Sequence, residues 1–137
     1  MFTNILTVLS PNSAIYCWHA HKRQALIASV WSDLSILDHQ QIIWVKPTPV
    51  FGRVYWHFQH EPCLMGWRQG DKPDHDGVHE HPSVWSVDWD GKARVVSNEH
   101  PTEKPVELFV RPIKKHTQPG DVVFEPFSGS GSQIIAA

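Results

Sequence analysis

The stretch from Gln118 to Ala137 sets the tightest limit on the fold. Gln118 to Asp121 is a turn signal, Val122 to Pro126 a short run of β-formers, Phe127 to Gly131 a glycine-rich turn, and Ser132 to Ala137 the start of a helix. Strand, glycine turn and helix in that order form the unit of a layered α/β sheet, with the turn at the carboxyl end of a parallel strand. Backbone N–H groups in such a turn approach a ligand closely, and the helix start favours a carboxylate or phosphate. Only Gly129 and Gly131 are present, with no third glycine and no Gly-Lys-Ser/Thr, which excludes the dinucleotide fingerprint and the Walker loop. A plain tight turn is the alternative.

Upstream, strands alternate with helices. Asn4 to Leu9 has helical spacing and stops at the turn Ser10 to Ser13; Ala14 to Trp18 suits a buried strand. Leu26, Ile27, Val30, Trp31 and Leu34 share one face of a helix from Lys22 to Leu34. Gln41 to Val45 is a strand that Pro47 and Pro49 should end, since proline cannot donate to a ladder. His60 to Trp67 is a third strand and Val84 to Trp89 a short fourth. Lys104 to Thr117 reads as a helix with Pro105 in its first turn; Pro112 inside it should kink it or cost about 3 kcal/mol. The expected architecture is an α/β open sheet.

With 137 residues, 41% of them hydrophobic, and a net charge of -2, the chain has the composition of one globular domain. A strongly basic field is excluded, so any nucleic-acid contact must come from a local patch. Met1 to Ser10 carries no basic leader and no stretch approaches the ~18 apolar residues of a membrane span, so a cytoplasmic chain with no membrane partner is expected. Two cysteines, Cys17 and Cys63, make no disulfide framework. The seven tryptophans are expected in the core.

A second signal is His100-Pro-Thr-Glu-Lys-Pro105, whose plain reading is an N-cap at Thr102. Taken with Pro119 to Val123 and Glu125-Pro-Phe-Ser-Gly-Ser-Gly131, it resembles the cofactor-binding part of S-adenosylmethionine-dependent DNA amino-methyltransferases, specifically the permuted bacterial and phage type that acts on adenine N6 or cytosine N4. Ile15 to Trp18, Ile43 to Pro47 and the stretch from Gly52 and Arg53 to His60 and Glu61 sit in the family's order. The resemblance implies a Rossmann-like open sheet with an antiparallel edge strand. It implies S-adenosylmethionine as cofactor, with Phe127, Ser128, Gly129, Ser130 and Gly131 cradling its methionine end, Glu125 near its amino group in place of the family's Asp, and Thr102, Lys104 and Pro105 flanking the pocket. The family's Asp/Asn/Ser-Pro-Pro-aromatic motif, which holds the target amine, is absent, so no residue is assigned a catalytic role and the isolated chain is expected to be inactive.

On this reading residues 1–70 form the catalytic-side half, 71–99 a target-recognition-like insertion and 100–137 the cofactor half of a partial methyltransferase domain. The expected partners are DNA and, in a homodimer, a second copy of the chain. Lys46, Arg53, Lys92 and Arg94 are the candidate DNA contacts; residues 91–115 carry a local charge of +3. The acidic segment Asp71 to Asp90, net -5, is expected to be a solvated loop. A competing reading is a non-enzymatic DNA-binding module or a metal module built on His57, His60 and Cys63 or on Asp74, His75, Asp76, His79, Glu80 and His81. The i, i+3 spacing of His57 and His60 on a strand puts them on opposite faces, which disfavours a shared ion.

Overall fold

A computed structural model describes residues 1–88 and 104–137 of the chain. Its centre is a four-stranded sheet in the order β1-β3-β2-β4, where β1 is Ile15–Trp18, β2 is Ile36–Val50, β3 is Phe58–Arg68 and β4 is Val84–Ser86. β3 runs antiparallel to both β1 and β2, and β4 lies parallel to β2. Helix α1 (Phe2–Val8) precedes β1; a 3-10 turn (His21–Arg23) leads into α2 (Gln24–Asp33); α3 (Glu107–His116) and the short α4 (Ser132–Ala136) follow.

Both faces of the sheet are covered. Leu64, Ile15, Ile36 and Trp31 form one apolar cluster, packed by Phe2 and Leu6 of α1 and Ile27 of α2. Cys63, Met65, Trp67, Ile42, Trp44 and Trp85 form the other, closed by Leu108 and Phe109 of α3. Two-sided burial explains why residues 62–67 of β3 read as a continuous run with no polar alternation. Gly66 is required by close approach: a Cβ there would lie 2.0 Å from the Leu37 carbonyl oxygen and 2.8 Å from the Trp31 ring.

The expected antiparallel edge strand is β1, which pairs antiparallel with β3 at one edge of the described sheet. Other expectations need correction. β2 does not stop before Pro47 but continues to Val50, because the ladder is irregular between Val45 and Val50 and makes no demand on the prolines there. The Gln59 side-chain amide instead donates to the carbonyls of Lys46 (3.0 Å) and Pro47 (3.4 Å). Residues 122–126 do not form a strand; none of the described strands pairs with them, and Val122 is 90% exposed. A β-former run without a neighbouring ladder has no backbone partners to make it a strand.

Pro105 lies just ahead of α3, its carbonyl accepting from Leu108 N, and the helix runs through Pro112 to His116. The acidic segment is tied down on α3: Asp76 N donates to the Lys115 carbonyl (2.9 Å), Lys115 Nζ to Asp76 Oδ1 (2.5 Å) and to the Val78 carbonyl, and His116 Nδ1 to the Asp74 carbonyl (2.7 Å). Leu26, placed on the covered face of α2, is exposed, and Trp56 is an exposed exception among the tryptophans.

Candidate functional site

A cavity of about 480 Å³ opens between β1 and α1 on one side and the glycine turn on the other. Its apolar wall comes from Ile15, Trp18, Phe109 and Phe124; its polar wall from Lys104, Glu125, Ser128 and Ser130, with Phe127 and Gly129 on the turn between. Six of the residues assigned to cofactor binding by sequence, Lys104, Glu125, Phe127, Ser128, Gly129 and Ser130, thus line one concavity. Pro105 is buried behind it and Gly131 closes the turn, neither on the lining. Thr102 lies outside the described residues, as do Lys92 and Arg94.

The turn is built by glycine chemistry. Gly129 (φ 54°) and Gly131 (φ 79°) are both in the left-handed region, which other residues enter only under strain, and Gly131 N donates to the Ser128 carbonyl at 2.7 Å. Buried Ser132 donates to the Lys104 carbonyl at 2.8 Å and contacts the Ser130 hydroxyl at 3.0 Å, clamping the turn to the segment that leads into α3. Glu125 turns back on its own loop, where Oε1 accepts from Phe127 N at 2.6 Å.

Beside the cavity, Glu61 of β3 pairs with two lysines, Lys46 Nζ at 2.6 Å and Lys104 Nζ at 2.8 Å. Each ammonium also faces an indole ring, Lys46 that of Trp44 at 5.4 Å and Lys104 that of Trp18 at 5.9 Å. Burial works to raise the Glu61 carboxyl, but the hydrogen bonds and charges of Lys104 and Lys46 outweigh it and hold the group below the ordinary glutamate range. Sequence reasoning gave Glu61 no role. The signal was there: it is the sole acid in β3, and β3 is otherwise buried through its second half.

Of the DNA-assigned residues, Lys46 is engaged by Glu61, while Arg53 stands exposed on the β2–β3 connection. Around it Phe51, Tyr55 (100% exposed) and Trp56 (88%) project apolar rings, and residues 51–60 contain no acid. Two basic residues of α3 are engaged, Arg111 with Glu107 (3.1 Å) and over Trp85, and Lys115 with Asp76, while Lys114 is exposed. Tyr16, which also lines the cavity, meets His116 Nε2 through its hydroxyl at 3.0 Å.

The metal reading finds no support among the described residues, where no group of three or more His, Cys, Asp or Glu is placed to share an ion. Cys63 is buried, with its thiol pushed up by burial, while His57 and His60 are exposed.

A family described as DNA methylase matches residues 1–137. Among curated relatives, the chain is 26% identical over 140 residues to the Type II methyltransferase M2.MboI of Moraxella bovis, covering 94% of this chain and 51% of that protein. It is 30% identical over 142 residues to the Type II methyltransferase M2.DpnII of Streptococcus pneumoniae, covering 95% and 53%. The chain therefore spans about half the length of the curated relatives it matches. The crystal structure of an M1.HpyAVI–SAM complex superposes with a TM-score of 0.77 at 22% identity, covering 96% of this chain and 66% of that one. PvuII DNA methyltransferase (cytosine-N4-specific) superposes at 0.75 and 14% identity, covering 98% and 59%. These likenesses establish the fold, a Rossmann-like open sheet of the methyltransferase type.

Proposed function

The chain belongs to the DNA methylase family, and on that premise we propose that it is the S-adenosylmethionine-holding part of a DNA amino-methyltransferase acting on the exocyclic amine of adenine or cytosine. The observation that carries the reading is the cavity itself, which gathers Lys104, Glu125 and the turn from Phe127 to Ser130 around one space. About 480 Å³ is within the range of pockets that take ligands of this size. The donor set fits the ligand: the turn supplies backbone amides for a carboxylate, Glu125 supplies acceptors for an ammonium, and Ile15, Trp18 and Phe109 supply apolar wall. When bound, S-adenosylmethionine supplies an electrophilic methyl group on a sulfonium sulfur.

The chain's own residues do the holding. Ser132 fixes the turn against Lys104, and the left-handed glycines keep the turn amides free of Cβ obstruction. The Asp/Asn/Ser-Pro-Pro-aromatic sequence that would hold the target amine is not among these 137 residues, so no residue here is assigned to the transfer step. DNA is the macromolecular substrate on this reading, with Arg53, the exposed rings of Tyr55 and Trp56 and, on β2, Lys46 as contacts. The same reading includes a cytoplasmic setting and a homodimer; no helix among the described residues is long and apolar enough to cross a membrane.

Calorimetric titration of the folded chain with S-adenosylmethionine and S-adenosylhomocysteine tests the proposal. Saturable heat with both ligands is expected, abolished by Gly129→Asp, which puts a carboxylate where the ligand's own would sit. No heat from a chain whose circular dichroism shows it folded overturns the reading.

A further inference from the structure

Lys104 is held from both ends. Its carbonyl accepts from Ser132 Oγ at 2.8 Å, and its ammonium meets Glu61 at 2.8 Å over the Trp18 ring. The other Glu61 oxygen takes Lys46, which lies across the β2–β3 ladder, where Trp44 is the register partner of Glu61. Lys46 and Lys104 are equally sheltered, each with a side chain 19% exposed. Two ammonium groups sharing one carboxylate would repel each other if that charge were lost, and each would leave its indole. Lys104 lines the cavity and Lys46 does not.

From this arrangement we infer that Glu61 is a positioning residue: it sets the Lys104 ammonium at the wall of the cofactor cavity and, through the same carboxylate, ties that wall to Lys46 on the β2–β3 hairpin. The inference rests on the cofactor reading for its consequence, the geometry of the ligand site, but not for the clamp itself. A net charge of +1 remains in the cluster, so the clamp orders the lysines without neutralising the wall. An anionic ligand group in the cavity therefore still meets an unspent positive charge, already fixed in place.

The clamp and its consequence are separable by experiment. Mass-spectrometric mapping of lysine acetylation by acetic anhydride on the folded chain reads the clamp directly. Lys46 and Lys104 are expected to react several-fold more slowly than the exposed Lys114, and Glu61→Gln should bring both up to the Lys114 rate. S-adenosylhomocysteine should slow Lys104 further and leave Lys46 unchanged.

Calorimetry reads the consequence. Glu61→Gln should weaken S-adenosylhomocysteine binding by about tenfold, the scale of one charge-assisted contact. Glu61→Asp, which keeps the charge, should recover most of it. Lys104 reacting as fast as Lys114 in the unaltered chain overturns the clamp. Unchanged affinity in a folded Glu61→Gln chain whose Lys104 has become reactive overturns the positioning role. If the unaltered chain binds no S-adenosylhomocysteine, the cofactor reading falls and the positioning role with it, and the acetylation rates still decide whether the clamp exists.

Discussion

The Ser132 hydroxyl donates to the Lys104 carbonyl across 2.8 Å, joining two segments 28 residues apart at the edge of the same cavity. The turn Phe127 to Gly131 belongs to no ladder of the described sheet, so its position depends on this bond and on the packing of α4 near α3. Ser132→Ala leaves a carbonyl without its donor; a loss of about 1–3 kcal/mol in urea unfolding is expected, together with weaker S-adenosylhomocysteine binding. An unchanged urea midpoint and affinity would show that the turn is held by other means.

Gly66→Ala should be among the most damaging single-methyl changes in the chain. The added carbon would sit 2.0 Å from the backbone oxygen of Leu37, against a sheet that cannot give way cheaply. A loss of about 3 kcal/mol or more is expected, read as a shift in thermal or urea midpoint. Near-normal stability would mean that the β2–β3 pairing is looser at this point than its register implies.

The exposed hairpin should matter for nucleic acid and not for folding. Trp56→Ala removes a ring that is 88% exposed, so the thermal midpoint should hold while affinity for a DNA duplex falls. Arg53→Gln should lower the slope of log affinity against log salt by about one, the signature of a lost phosphate contact. Unchanged binding and slope in both variants would remove the hairpin from the DNA surface.

Acid should loosen the junction of β1, α3 and the segment from Asp74 to Val78. A carbonyl only accepts, so the Asp74 contact places the proton on His116 Nδ1 and leaves Nε2 to accept from Tyr16. Burial first, then the Lys115 charge, lower the His116 pKa, against the Asp74 hydrogen bond. With the folded value below the unfolded one, the contribution is complete above about pH 6.5 and is lost as pH falls through the folded value. Urea midpoints between pH 7.5 and 5 should fall less in His116→Gln than in the unaltered chain; an identical fall in both would exclude His116 as the cause.

Much of this was legible in the residues. The helices around Leu6, Trp31 and Leu108 and the runs Ile15 to Trp18 and His60 to Trp67 announced themselves by spacing and by β-former content, because local periodicity reports which face a segment buries. The glycine turn and Lys104 were readable because glycine and a family string mark them. What escaped depends on partners distant in sequence. Val122 to Pro126 has the composition of a strand, yet strandhood needs a neighbour that composition cannot supply. Glu61 has no motif of its own, and only the alignment of β3 beside β2 brings it to Lys46 and Lys104. The docking of Asp76 on Lys115 spans 39 positions and left only an acidic composition to read.

β3 carries Leu64 into the cluster under α1 and α2, and Cys63, Met65 and Trp67 into the cluster under α3. Because its side chains alternate, slipping this strand by one position would exchange the contents of the two layers and push a Cβ into the spot that Gly66 leaves clear. The hairpin with β2 is also the most local pairing in the sheet, closing from Val50 with Phe58 outward to Ile36 with Arg68. On loop closure alone that hairpin is the pairing expected to form first, with both helical layers closing on its register. An error made at that first step would be inherited by every later one.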